Sequence, residues 1–214
     1  MRDKIAANIS LEMLPFLSGF VSDGRSLILM KPIGSTLRGL TFASSAYSKE
    51  DFFFHWFFMP LCFPKDSLSL NYGTRMKAPD GTDGWRTDMP DLVPSLVNAV
   101  RRQALPNLLP VSTNAAVVKA IRRRVGWTFK INVHALEETA CLLIQDRRFA
   151  EARKCLQQLT SLQSDPKQRD WGRVVAERGQ KMLQKLDENP ESALEEVLAW
   201  RDAAISELKL EKWK

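Results

Sequence analysis

Residues 51–59 read Asp-Phe-Phe-Phe-His-Trp-Phe-Phe-Met, the most apolar stretch in a chain of 214 residues. Successive side chains of an extended strand point to opposite faces of a sheet. The alternation here gives two apolar faces, with Phe52, Phe54, Trp56 and Phe58 on one and Phe53, His55, Phe57 and Met59 on the other. Because a strand with two apolar faces is typical of the covered centre of a sheet, we predict that this segment is the central strand.

Other segments predict the strands around it. Residues 26–30 and 37–43 are short apolar runs bounded by loop-like residues, and a further run, 67–72, follows a proline-containing turn. In that run Leu68, Leu70 and Tyr72 share a face. A helical rhythm ending near Gly19 precedes the strands. The pattern predicts an N-terminal helix and an antiparallel sheet of about four strands.

From residue 90 onward the apolar spacing becomes helical. A helix over 92–100 is followed by Pro106 and Pro110, which we expect to break it. The next helix is capped by Thr113 and ends at Gly126. Helices near 131–145 and 148–163 follow.

Two further helices are predicted from capping residues that precede prolines, at Asp165-Pro166 and Asn189-Pro190. The whole pattern indicates an α+β protein with an all-helical C-terminal half. We divide it into an α+β domain over residues 1–110 and a helical domain over residues 111–214.

The composition is that of an ordinary globular protein, with 44% hydrophobic and 26% charged residues. The most apolar segment is too short for a transmembrane helix, and the N-terminus lacks the apolar core of a signal peptide. Cys62, Cys141 and Cys155 are widely spaced and flanked by apolar residues, as expected for buried thiols. We expect a cytoplasmic protein with reduced cysteines.

The charge is concentrated in one segment. The chain carries a net charge of +6, yet residues 92–136 contain no acidic residue and carry +7. Clustered cations attract acidic partners and neutralise nucleic-acid phosphates. The arginines of this segment are therefore candidate partner contacts: Arg101, Arg102, Arg122, Arg123 and Arg124.

Residues 73–89 are rich in Gly, Asp, Thr and Pro, which predicts a long surface loop. Tyr, Trp and Arg dominate the energetics of protein interfaces. In and beside this loop they are Tyr72, Arg75, Trp85 and Arg86, which we take as further candidate partner contacts.

Motifs for catalysis are absent from the sequence. It contains no glycine-rich phosphate loop, no nucleophile elbow and no zinc-binding motif, so we name no catalytic residue, metal ligand or cofactor. A nucleophilic pair of His55 and Cys62 is left open.

Two resemblances extend this interpretation. Residues 140–159, with Phe149 and Ala152 where two helices would meet, resemble one tetratricopeptide unit, a family that binds peptides or proteins. An N-terminal helix, a strand meander, Tyr72-Gly73-x-Arg75, Gly84-Trp85-Arg86 and a helix ending in Ala104-Leu105-Pro106 follow one another over about residues 1–125. That order resembles small bacterial α+β proteins of unknown function, some of them similar to immunity proteins of toxin systems.

These observations favour a protein-binding module, of which an immunity or adaptor protein of a bacterial toxin system is one form. Two alternatives stay open. One is a nucleic-acid-associated regulator that uses the basic segment 92–136. The other is a small hydrolase or transferase, for which a pocket containing His55 with Cys62 or Arg75 would be the distinguishing feature.

Overall fold

The computed structural model describes residues 3–24, 26–46, 48–64, 67–162 and 170–214. The chain forms two compact units. The first consists of Met1–Met59, Leu68–Ser112 and Lys212–Lys214, and the second of Pro60–Ser67 and Thr113–Glu211. Since the sequence divides the chain once, near residue 110, it does not anticipate that two short segments are exchanged between the units.

The α+β class is observed, with a helix first, then a sheet, then helices. The strands are β1 (Phe20–Ser22), β2 (Leu27–Met30), β3 (Thr36–Ser44), β4 (Asp51–Pro60), β5 (Tyr72–Arg75) and β6 (Gly84–Arg86). The α-helices are α1 (Asp3–Met13), α2 (Leu92–Ala99), α3 (Leu105–Leu108), α4 (Asn114–Val125), α5 (Val133–Gln145), α6 (Phe149–Ser161), α7 (Asp170–Glu188) and α8 (Pro190–Glu207). None of the helices in the described ranges has the length and apolar character needed to cross a membrane.

The sheet runs in the order β1-β2-β3-β4-β5, and β6 pairs with β4 beside β5. The β1–β2, β2–β3, β4–β5 and β4–β6 pairings are antiparallel. Strand β4 is therefore central, as its sequence predicts. Phe52 and Phe54 are fully buried, whereas Phe53 and His55 are half-buried, so coverage of both faces is complete only from Trp56 onward.

Aromatic side chains of β3 and β4 pack together on the face of the sheet that carries Phe52. Phe42 of β3 stacks on Phe54 with ring centroids 4.6 Å apart, and it meets the edge of Phe52 at 5.7 Å. Arg38, also on β3, donates from Nη1 to the carbonyl oxygen of Leu108 at 3.4 Å. That bond places the end of α3 over this face of the sheet.

One strand prediction and one loop prediction are wrong, and one strand was not predicted. Residues 67–71 are not a strand; Gly73 donates its N–H to the Leu70 carbonyl at 2.9 Å, closing a turn at the start of β5, which begins at Tyr72. Strand β1 has three residues, too few for a periodic signal. The predicted surface loop 73–89 contains β5 and β6, because backbone pairing with β4 stabilises sequences that have little strand character of their own.

The prediction that Pro106 breaks the helix is also wrong. Helix α2 continues through a π-helical segment, Val100–Ala104, into α3, and the helical path ends at Leu108 before Pro110. Leu105 donates its N–H to the carbonyl of Val100, five residues earlier. This wider turn accommodates Pro106, which has no N–H to donate and whose ring would crowd a regular α-helical turn.

In the second unit, α5 is the core helix. Its residues from Ala135 to Ile144 are all buried, and α4, α6, α7 and α8 pack against it. Glu137 lies in this buried stretch and accepts two hydrogen bonds from the Arg178 guanidinium, at 2.5 and 2.8 Å. The Arg178 guanidinium also lies 4.4 Å from the ring centre of Phe63. Phe63 thereby connects residues 60–64 to this unit.

The caps of the second unit agree with the sequence. Thr113 accepts a hydrogen bond from the N–H of Ala116, and Gly126 ends α4 with a φ of 60°. The Asn189 side chain accepts from the N–H groups of Glu191 and Ser192 at the start of α8. The predicted cap at Asp165-Pro166 lies outside the described residues. The three cysteines are buried free thiols.

Candidate functional site

The prediction that Trp85 and Tyr72 are exposed in or beside a surface loop is wrong, because both side chains are buried. Trp85 of β6 pairs with Phe52 of β4 and is fully buried. Tyr72 of β5 pairs with Phe58 of β4 and is 5% exposed. The rings of Tyr72 and Phe58 stack at 5.2 Å. Strand pairing therefore turns both aromatic side chains into core residues of the first unit.

Arg75 and Arg86 are exposed, and their surroundings differ. The Arg86 guanidinium donates two hydrogen bonds to the Asp88 carboxylate, at 2.9 and 2.8 Å, and lies 3.5 Å from that of Glu50. These bonds raise the pKa of Arg86. The Arg75 guanidinium lies over the ring of Phe53, 3.9 Å from its centroid, a cation–π arrangement.

His55 lies directly opposite Arg75 in the β4–β5 pair. Its Nε2 is buried and has no hydrogen-bond partner among the described residues. Burial and then the charge of Arg75 lower the pKa of His55, and the charge of Asp83 opposes them. The imidazole is therefore neutral at neutral pH. Cys62 belongs to the second unit, where its thiol donates to the Glu138 carbonyl at 3.6 Å.

A cavity of about 320 Å³ opens in the first unit between the β5–β6 segment and the helix that begins at Leu92. Its polar lining residues are Lys77, Ser95, Asn98, Arg102 and Gln103, and its apolar lining residues include Trp85. His55 does not line it. His55 thus pairs with Arg75 across two strands, and this cavity is built from other residues.

Gln103 fixes the position of Lys77 at the cavity. The Lys77 N–H donates to Gln103 Oε1 at 2.8 Å, and Gln103 Nε2 donates to the Lys77 carbonyl at 2.9 Å. The Lys77 ammonium lies 2.8 Å from the Asp83 carboxylate. The hydrogen bond from Lys77 lowers the pKa of Asp83.

The basic segment predicted from the sequence is divided between the two units. Arg101 and Arg102 lie in the π-helical segment of the first unit, and only Arg102 lines the cavity. Arg122, Arg123 and Arg124 form the last turn of α4 in the second unit and are exposed. Two of these five arginines therefore belong to the first unit and three to the second.

Sequence reasoning missed Trp127, which is 87% exposed. It lies in the 3-10 helix Gly126–Ile131 that follows α4, together with Lys130 and Ile131, which is 55% exposed. Arg122 lies 5.4 Å from the ring of Phe129 in the same segment. The signal was present in the sequence, since Gly126 ends a helix and the next residue is a tryptophan beside three arginines.

The fold and these surfaces define an α+β protein with a polar, cationic cavity on its first unit and a basic surface with an exposed tryptophan on its second. Comparison with protein-family models finds no match, and comparisons with curated proteins and with solved structures likewise find none. The tetratricopeptide and immunity-protein resemblances stay predictions.

Proposed function

We propose that the protein is a protein-binding module and that its partner binds to the end of α4 and the 3-10 helix that follows. The observation that carries this proposal is the 87% exposure of Trp127. A large indole in water is unfavourable, and tryptophan and arginine are the residues most enriched among interface hot spots. We call this surface the Trp127 surface; it comprises Arg122, Arg123, Arg124, Trp127, Lys130 and Ile131.

The backbone under Trp127 is held by hydrogen bonds. Thr128 donates its hydroxyl to the Val125 carbonyl at 2.8 Å, and Gln158 of α6 donates to the Lys130 carbonyl at 3.1 Å. A surface that is ordered before binding loses less conformational entropy when a partner arrives. These bonds support the use of Trp127 as an anchor.

The charge of the Trp127 surface selects the kind of partner. Four of its six residues are cations, and no acidic residue lies between Thr113 and Leu136 in the sequence. Complementary charge speeds association and rejects basic partners. We therefore propose an acidic protein partner that provides a pocket for an indole. An immunity or adaptor protein is one form of this function, and it rests on the sequence resemblance.

The test is affinity capture with the full chain from a native lysate of its source, followed by mass spectrometry. Wild type is compared with Trp127→Ala and with Leu109→Ala, a control that truncates an apolar side chain with 58% exposure in the first unit. We expect a partner of acidic isoelectric point that binds at least about tenfold more weakly to Trp127→Ala, a loss typical of a hot spot. Leu109→Ala should bind it as wild type does.

Two results would overturn the proposal: recovery of no stable protein partner, or a partner that Trp127→Ala retains at full affinity. Binding to duplex or single-stranded nucleic acid is measured in parallel at low and high salt. Strong salt-dependent binding that Trp127→Ala leaves unchanged would favour the nucleic-acid alternative, because phosphate contacts depend on the cations and not on the indole.

A further inference from the structure

The cavity of the first unit has the chemistry of an anion site. We propose that it binds a small oxyanion, the carboxylate or phosphate group of a low-molecular-weight ligand, through Arg102 and Lys77. This inference is independent of the protein-binding function, because it uses other residues in the other unit.

The charge of the lining is one-sided. Two of its nine residues are cations and none is a carboxylate. Arg102 is exposed and has no ion-pair partner among the described residues. A guanidinium offers several donors in a planar fork that matches the oxygens of carboxylates and phosphates. Arg102 is thus available to form an ion pair with a bound anion.

Hydrogen-bond donors surround the same space. Ser95 and Asn98 line the cavity, and within the described residues neither side chain has a hydrogen-bond partner. Ser95, Asn98 and Arg102 are spaced three and four residues apart, so successive turns of one helical path present them on the same side. Donors and charge therefore converge on one volume.

Lys77 is the second cation, and contacts with two other residues hold it in position. The reciprocal bonds with Gln103 fix its backbone, and Asp83 holds its ammonium at 2.8 Å. An incoming oxyanion competes with Asp83 for this ammonium. Asp83 is therefore a positioning residue that also weakens binding, and its removal should strengthen it.

The size of the cavity limits the ligand. A volume of about 320 Å³ lies at the lower end of the range for ligand pockets. The fully buried Trp85 and the small side chains of Ala78 and Ala99 form its apolar part. This arrangement suits one anionic group with a short apolar body.

The experiment is an NMR titration of the full chain, uniformly ¹⁵N-labelled, with sodium phosphate and separately with sodium acetate. Sodium chloride at matched ionic strength is the control for screening. Arg102→Ala is compared with Arg101→Ala, which removes the neighbouring exposed arginine that does not line the cavity. Asp83→Asn tests the competition for Lys77.

We expect saturable shifts confined to the amides of Lys77, Ala78 and residues 95–103 with at least one oxyanion and not with chloride. Arg102→Ala should weaken binding about tenfold, which corresponds to about 1.4 kcal/mol. The dissociation constant of Arg101→Ala should stay within about twofold of the wild-type value. Asp83→Asn should tighten it. The stronger of the phosphate and acetate responses identifies the type of oxyanion.

The proposal is overturned if chloride gives the same shifts, if neither oxyanion gives saturable shifts, or if Arg101→Ala and Arg102→Ala weaken binding equally. A purely structural role of Asp83 does not predict tighter binding by Asp83→Asn. Unchanged or weaker oxyanion binding by this variant would show that Lys77 does not contact the oxyanion. Failure here leaves the proposal for the Trp127 surface untouched, because that test measures capture of a protein by the second unit.

Discussion

Trp85 donates its indole N–H to the backbone carbonyl oxygen of Met76 at 2.9 Å, and both side chains are fully buried. The indole ring also packs perpendicular to the ring of Phe54 on the central strand, with centroids 6.3 Å apart. This one side chain ties the polar β5–β6 segment to the core of the first unit and supplies part of the cavity wall.

Replacing Trp85 with Phe should lower the free energy of unfolding of the first unit by about 2–3 kcal/mol, since it removes the indole donor from a buried carbonyl and leaves unfilled volume. Urea unfolding followed at the β4 amides by NMR measures the change. Trp127→Phe is the matched control, and at an exposed position it should change stability by less than about 0.5 kcal/mol. Equal effects of the two variants would contradict this role of Trp85.

Gly39 of β3 should not tolerate a side chain. A Cβ there would lie 2.6 Å from the Ile28 carbonyl oxygen and 3.3 Å from the ring of Phe57. Because the nearer atom belongs to the backbone of the paired strand, Gly39→Ala should destabilise the first unit by about 2 kcal/mol or more, as overpacking does. Gly34→Ala is the control, since a Cβ at Gly34 meets no atom within 4 Å. Wild-type stability of Gly39→Ala would show that β2 and β3 can separate freely.

Arg178 compensates a buried charge in the second unit. The Glu137 side chain is 4% exposed, whereas that of Arg178 is 39% exposed. Arg178→Ala would leave the carboxylate without its fork of donors and should cost about 2–3 kcal/mol, below the usual range for buried pairs because water reaches Arg178. Arg173→Ala on the same helix is the control and should have little effect. Unfolding followed at the α5 amides tests this, and adding Glu137→Gln should recover part of the loss.

The pKa of His55 should respond to two neighbouring charges in opposite directions. Arg75 lowers it and Asp83 raises it, so Arg75→Gln should raise the measured pKa and Asp83→Asn should lower it. The chain contains two histidines, so ¹H NMR titration resolves the imidazole of His55 directly. A pKa of His55 at or above 6.5 in the wild type would contradict the burial of its ring.

The same shift predicts a direction for stability. Because the pKa of His55 in the folded state is below its unfolded value of 6.5, the unfolded chain binds the proton more readily. Stability of the first unit should therefore fall as pH drops below that value, until the folded-state pKa is passed. His55→Gln should remove this component, so the difference in stability between wild type and variant should change from about pH 7.5 to about pH 5.5. A constant difference over that window would exclude His55 as the source.

Several candidate contacts were recognisable from sequence, but their roles were not. Arg102 was named as one cation in a continuous basic segment, and the structure gives it a cavity that Arg101 does not share. Lys77 and Asn98 were not predicted as candidates, because the sequence does not show that the β5–β6 segment and a helical turn lie on the same cavity. Trp127 could have been found, since a tryptophan directly after a helix-ending glycine has no obvious apolar face to join.

The sequence by itself determined the features that depend on local interactions, namely the central strand and several helix ends. Alternation defined β4 as central, and short-range hydrogen bonds at Thr113, Gly126 and Asn189 set helix ends that the structure reproduces. Only the tertiary structure decided the remainder: strands β1, β5 and β6, the burial of Trp85, the π-helical turn that accommodates Pro106, and the division of the arginines between two units. The physical reason is that a strand of three or four residues gains its stability from the neighbour it pairs with, and a charge gains its role from whatever the fold places opposite it.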